Sequence, residues 1–364
     1  MGKLDKDLLQ KEMAVRFCLV NNLIPFLEVD VQNYRELSDV STTITDIDAL
    51  GVSIDSAGKP RKVIFDCKTL KNTSPVNRAF WASGLMQFTG CTEAFIILSK
   101  KASEAHRFSA KRIGVHLFND KQFINYAESC SQDFNIDYCY STNIDSWIAL
   151  ENVSTGNIHF EQYMHFLCNE IPLENDSVKG FRRLLAATRK IKGEFDPAKA
   201  KHRAVFFYSV AMLAFTLSQI VHDLRNIIDF NASEKVFEKT LKYYVWGGKD
   251  SFELRNKLQS IKKPMDLPEN ELKLKDWDKF IELVRNLMDS PSDISECIAP
   301  MREFGMLEVV ARMEVKDLYL KDTIKSNNRV RQFCTFIASY LIGATDLPRD
   351  MMDKLNDSFE ELLK

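Results

Sequence analysis

The chain has 364 residues, 45% of them apolar and 27% charged, the make-up of an ordinary globular protein long enough for two domains. Its 49 Lys and Arg stand against 51 Asp and Glu, for a formal charge of −2, so any grip on nucleic acid has to come from a local patch and not from the whole-molecule field. Eight scattered cysteines with no C-x-x-C pair disfavour a disulfide framework or a zinc ribbon and point to reduced thiols in a cytoplasmic setting.

In chain order, the N-terminal stretch is charged from residue 3 and does not read as a secretory segment. Apolar periodicity predicts a helix over 7–21, then strands at 23–31, 43–54 and 62–68, the last two separated by the polar turn cluster 55–60 and therefore expected to pair antiparallel. A helix over 75–88 opens on Pro75, which suits a first turn. A buried strand at 93–99, a helix over 103–112, a strand at 114–118 and a helix over 120–131 follow. This order describes an α/β layer structure and not a regular βαβ repeat.

From about residue 158 only helical periodicity remains, with helices expected over 159–170, 177–192, 197–229, 233–246, 276–288, 306–325, 329–343 and 348–363. The expected division is an α/β domain over 1–150 and a mostly helical domain over 151–364. The apolar run 204–221 approaches membrane-span length but contains Tyr208, Ser209, Thr216, Ser218 and Gln219. It is expected to be a buried bundle helix, and no membrane association is expected.

The chemistry concentrates in Thr45-Asp46-Ile47-Asp48-Ala49-Leu50-Gly51 and Phe65-Asp66-Cys67-Lys68-Thr69. Side chains alternate along a strand, so Asp46 and Asp48 share one face, as do Asp66 and Lys68, while Phe65 and Cys67 point the other way. If the two strands pair, one face gathers two or three carboxylates and an ammonium. Packing alone gives little reason for that, because unpaired like charges are costly to bury. A hard divalent cation would relieve the conflict, and a cation beside a lysine suits phosphodiester hydrolysis.

An acid, a turn, and Asp-x-Lys at the end of a second strand resemble the PD-(D/E)XK nuclease superfamily of restriction-endonuclease-like folds. The resemblance covers roughly residues 5–130 and nothing after 150. It implies Mg²⁺, replaceable by Mn²⁺, held by Asp48, Asp66 and the Cys67 backbone carbonyl, with Lys68 beside the attacking water. Ile47 stands where the family often has proline, and Asp46 is an alternative or second ligand. A glutamate from the first helix or an early strand often joins such sites, which nominates Glu12 and Glu36. A Gln or basic residue of the following helix nominates Gln87 and, for phosphate contact, Arg78.

Two local patches are basic: Lys59, Arg61, Lys62, Lys68 and Lys71, and the stretch Lys179 to Arg203. Within the second, Lys179, Arg182, Arg183, Arg189 and Lys190 fall on one face of the 177–192 helix, where they are expected either to contact phosphates or to form a solvated surface. The expectation is a Mg²⁺-dependent endonuclease acting on DNA more readily than RNA, in the manner of bacterial restriction or anti-phage defence. Its helical domain would bind substrate, a protein partner or a second copy. The alternatives are a catalytically silent nuclease-fold interaction subunit and an RNA-cleaving enzyme.

Overall fold

A computed structural model describes residues 7–33, 42–54, 60–68, 74–229, 231–262 and 274–364. The N-terminal half runs α1 (Leu8–Val20), β1 (Ile24–Gln32), β2 (Thr43–Ile54), β3 (Pro60–Lys68), α2 (Pro75–Thr89), β4 (Glu93–Leu98), α3 (Glu104–Lys111), β5 (Val115–Asn119) and α4 (Asp120–Cys130). The five strands lie in sequence order in one mixed sheet. β1, β2 and β3 are antiparallel, with Leu27 facing Ala49 and Ala49 facing Phe65, whereas β4 and β5 add parallel to β3 through the helical crossovers α2 and α3. The residues of the expected turn, 55–59, lie outside those described.

Alternation decides what each sheet face carries. Phe65 and Phe95 stack on one face with ring centres 5.3 Å apart, and Phe17 of α1 and Phe123 of α4 close over them. Gly51 lets α1 approach β2, since a Cβ there would come within 2.8 Å of the Cys18 sulfur. The opposite face receives α2 and, at β1, the helical half through Phe26 against Phe215.

That half contains α5 (Ile144–Glu151), α6 (Ile158–His165), α7 (Ser177–Lys190), α8 (Ala200–Ile227), α9 (Glu234–Val245), α10 (Lys249–Lys262), α11 (Trp277–Met288), α12 (Pro291–Glu296), α13 (Ile298–Leu307), α14 (Glu314–Ser326), α15 (Asn328–Thr345) and α16 (Asp350–Leu363). A π-turn, Phe166–Glu170, extends α6. α8 is apolar all round because it is the hub, with α7, α11, α12, α13 and α15 packed about it. Long and apolar enough to cross a membrane, it has its most apolar window wholly buried inside the fold.

Four helices were not predicted by periodicity: α5, α10, α12 and α13. The expected helix 306–325 meets α13 only at its last two residues and otherwise falls on α14, because the chain leaves the helical path between Leu307 and Glu314. One apolar core runs through both halves. At their seam the buried Arg302 of α13 donates Nη1 to the Pro25 carbonyl at 2.6 Å and lies 4.9 Å from the Trp147 ring centre. Its neighbour Glu303 accepts the Ser141 backbone N–H at 3.2 Å.

Candidate functional site

The carboxylates of β2 and β3 meet where the antiparallel part of the sheet passes into the parallel part. Asp48 and Asp66 are both buried, 6% and 3% exposed. The Cys67 backbone N–H donates to Asp48 Oδ2 at 2.7 Å, fixing the carboxylate across the strand pair. Lys68 Nζ lies 3.0 Å from Asp48 Oδ2 and 3.6 Å from Asp66 Oδ1, bridging the two acids. From α2, Arg78 takes Asp66 in a two-pronged grip, Nε to Oδ2 at 2.6 Å and Nη2 to Oδ1 at 2.5 Å, with its guanidinium 3.5 Å from the Trp81 ring centre.

Burial pushes the Asp48 carboxyl above its ordinary pKa, and Asp66 adds to this, while Lys68 and the Cys67 N–H oppose it. Burial works to depress the Lys68 ammonium, but Asp48 and Asp66 outweigh it and hold the pKa above the usual lysine value. Lys68 is therefore a fixed cation at neutral pH. The Cys67 thiol, fully buried on the other face, is pushed up by burial and then by both acids, so it is an inert packing group.

Asp46 stands opposite Asp30 in the β1–β2 ladder, half-buried. Asp30 in turn meets His165 Nε2 at 3.1 Å, and its backbone N–H donates to Asn169 at 2.7 Å, so the helical half covers this end of the sheet.

Other nominated residues are not brought together here. Glu12 pairs with Arg16 at 3.1 Å, next to Asp137. Gln87 is exposed and sits nine residues beyond Arg78 on α2, about 13 Å along the axis at 1.5 Å per residue. Glu36 lies outside the described residues, as do Lys59 and Lys71. Arg78, nominated for phosphate, holds Asp66 instead.

The basic patches are largely spoken for. Arg61 pairs with Glu93 at 2.5 Å, and buried Lys62 donates to Asn175 at 3.0 Å. On α7, Lys179 lies 3.4 Å from Glu174, Arg183 pairs with Glu170 and Glu174, and Arg189 donates to the Ala344 carbonyl at 2.8 Å. Arg182 lies over Trp246 at 5.2 Å, and Lys190 is exposed.

Sequence reasoning missed a buried pair beneath this site. Lys11 of α1 is 1% exposed and meets Glu28 of β1 at 2.5 Å. The ladder registers on either side, Leu27 with Ala49 and Val29 with Ile47, place Glu28 opposite Asp48. Its φ of 52° is left-handed, a costly backbone for glutamate within a strand. Burial raises the Glu28 pKa, Lys11 opposes this, and Asp48 and Asp46 add to the rise. The available signal was that Lys11 falls on the buried stripe with Ala14, Val15 and Cys18, and that Glu28 interrupts an apolar strand.

Among the described residues no group of three or more His, Cys, Asp or Glu is placed to hold a metal. The donors on offer are two carboxylates and main-chain carbonyls. Mg²⁺ accepts such a set, because it commonly takes one or two carboxylates and fills its octahedron with water and substrate phosphate oxygens. No family model, curated protein or solved structure matches this chain.

Proposed function

We propose that the chain is a divalent-metal-dependent nuclease of restriction-endonuclease-like fold that hydrolyses phosphodiester bonds, with DNA as its substrate. The observation that carries this reading is Lys68 Nζ bridging Asp48 and Asp66 from adjacent strands, at 3.0 and 3.6 Å. The order helix, three antiparallel strands, helix, parallel strand supports it. Asp48, Asp66 and the Cys67 carbonyl would hold Mg²⁺ or Mn²⁺. When bound, the ion polarises the scissile phosphate and lowers the cost of ionising water.

The chain's own groups account for the rest. The Cys67 N–H and the sheet fix the Asp48 carboxylate, so it need not reorganise during reaction. Lys68, kept charged by two acids, orients the attacking water and offsets charge developing on the phosphate oxygens. Arg78 neutralises Asp66 in the metal-free state, so metal loading means that Arg78 gives up this carboxylate to the incoming cation. Once released, its guanidinium is free to pair with a substrate phosphate. Bacterial restriction or anti-phage defence is the biological setting we infer for such an enzyme.

A second reading has its own support. Lys68 and Arg78 already balance the two acids charge for charge, as a catalytically silent interaction subunit would require.

One experiment separates the two. Duplex DNA, single-stranded DNA and RNA are incubated with Mg²⁺ or Mn²⁺ and the wild-type chain, Asp66→Ala or Lys68→Ala, while Mn²⁺ binding is followed by electron paramagnetic resonance. The nuclease reading expects cleavage that falls by about 10²–10³-fold or more in both variants, with Mn²⁺ binding lost in Asp66→Ala. Equal cleavage by all three proteins marks a contaminant. Neither cleavage nor Mn²⁺ binding by the wild type establishes the silent subunit, and cleavage of RNA alone moves the substrate assignment.

A further inference from the structure

A cavity of about 370 Å³ in the helical half is lined by Lys179, Arg182, Arg183, Arg189, Lys275 and Trp246, together with apolar side chains and no carboxylate. That volume is within the range of small-ligand sites. Several of these cations are matched elsewhere, Arg183 by Glu170 and Glu174 and Lys275 by Asp346. Arg182 is different. It makes no ion pair among the described residues, and its guanidinium lies 5.2 Å from the centre of the Trp246 ring. The same ring carries Arg255 at 5.3 Å, so one indole serves two guanidinium groups.

Three N–H donors of the lining residues, Arg182 Nε, Arg189 Nε and Trp246 Nε1, are buried without a hydrogen-bond partner among the described residues. Buried donors are nearly always satisfied in a folded protein, and here all three belong to one cavity with surplus positive charge. Burial, and then the neighbouring Arg255, depresses the Arg182 pKa, while Asp176 opposes them. An anion with several acceptor oxygens would offset the charge of the guanidinium groups that line the cavity.

We propose that this cavity is a phosphate-binding site, gripping phosphate groups through the guanidinium groups of Arg182 and Arg189. Lys179 and Arg183 also line the neighbouring cleft of about 280 Å³, which reaches Asp30, the strand partner of Asp46. That cleft also carries Glu170 and Glu174, so the phosphates bound in the cavity are those of a free polyphosphate or of a nucleic-acid strand crossing α7. The binding itself needs no metal and no catalysis.

The test uses the full-length chain in EDTA at physiological salt. Binding of inorganic pyrophosphate and of a 5′-phosphorylated single-stranded oligonucleotide is measured by calorimetry. At least one ligand binds, and Arg182→Gln and Arg189→Gln each weaken it about tenfold, as expected for losing one charged partner of a phosphate. Lys190→Gln, on the same helix but outside the cavity, changes it less than about twofold. Arg189 lines the same cavity from α7 and is half-buried, so its variant keeps the test valid if Arg182→Gln misfolds. Sensitivity with pyrophosphate assigns a free polyphosphate, and sensitivity with the oligonucleotide alone assigns a strand backbone. Asp66→Asn retains the binding, so failure of the nuclease reading leaves this site standing. Absence of binding by both ligands, or equal weakening by the Arg and Lys190 variants, overturns it.

Discussion

The sheet half and the helical half use the same charged residue types in opposite ways. In the sheet half, Lys11, Glu28, Asp48, Asp66, Lys68 and Arg78 are drawn under or beside the sheet, and their pairs join residues distant in the chain. In the helical half the cations of α7 and its surroundings are mostly matched near the surface, Arg183 by Glu170, Lys192 by Asp346 and Arg203 by Glu308. Desolvating an ion pair is costly and often brings no net stability, whereas a surface pair costs little and contributes little. Expensive charge is thus concentrated in one half, and that half also holds the acid pair with its bridging lysine. Arg302 and Glu303, buried at the seam, and Lys316, buried and 3.1 Å from Asp137, are the exceptions, and they tie the halves together instead of facing a cleft.

The sharpest way to break this contrast is to remove one member of a buried pair. Lys11→Met leaves Glu28 buried without its cation, and Glu28→Gln leaves Lys11 without its acid. The first is expected to cost about 3–5 kcal/mol by urea unfolding, and the second less, because burial already disfavours the charged carboxylate that it replaces. The double variant should be less destabilised than the sum by roughly 1–3 kcal/mol, the coupling expected of residues in contact. Additive losses would mean that the pair is not a unit. Arg78→Ala acts on function instead. It removes the cation competing for Asp66, so Mn²⁺ should bind severalfold more tightly in a titration, and unchanged affinity would show that Arg78 does not guard the carboxylate.

A smaller effect sharpens the electrostatics. The folded-state pKa of Glu28 is raised, chiefly by burial. A raised carboxyl favours the fold through proton uptake, so its contribution is fully present below the ordinary glutamate pKa and is lost as pH rises through the folded value. The stability of the wild type relative to Glu28→Gln should therefore increase as pH falls from 7 toward 4. A difference that stays flat across this window would remove burial as the dominant influence on Glu28.

Much of the sheet half was legible because period-two alternation and period-3.6 stripes follow directly from backbone geometry. β2 covers residues 43–54 as read from the chain, and Asp48, Asp66 and Lys68 meet as alternation requires. What the pattern did not carry was pairing across the fold. Nothing near Arg78 in the chain indicates that it reaches back to Asp66, and Glu12 was nominated from the first helix although the neighbouring Lys11 is the residue that turns inward. α12 and α13 were lost for a related reason. α12 is only six residues long, too short for a helical period to declare itself, and the expected helix ran across the break between Leu307 and Glu314.

The helical half supplies the smallest effects, and they bear on how a basic patch should be read. Arg183→Gln removes a partly exposed cation shared by Glu170 and Glu174, for which the expected cost is no more than about 1 kcal/mol. Lys190→Gln removes an exposed charge at the end of α7, and its stability should stay within about 0.5 kcal/mol of wild type. Counted in the sequence, the two residues are equal members of one positive face. In the fold, Arg183 is a local counter-ion for the turn after α6, whereas Lys190 is available to solvent. If helix charge alone governed nucleic-acid affinity, both variants would flatten its salt dependence equally, each by about one counter-ion. Because Arg183 is already neutralised by protein carboxylates and Lys190 lies outside the proposed phosphate cavity, both variants should leave the slope nearly unchanged, whereas Arg182→Gln should reduce it.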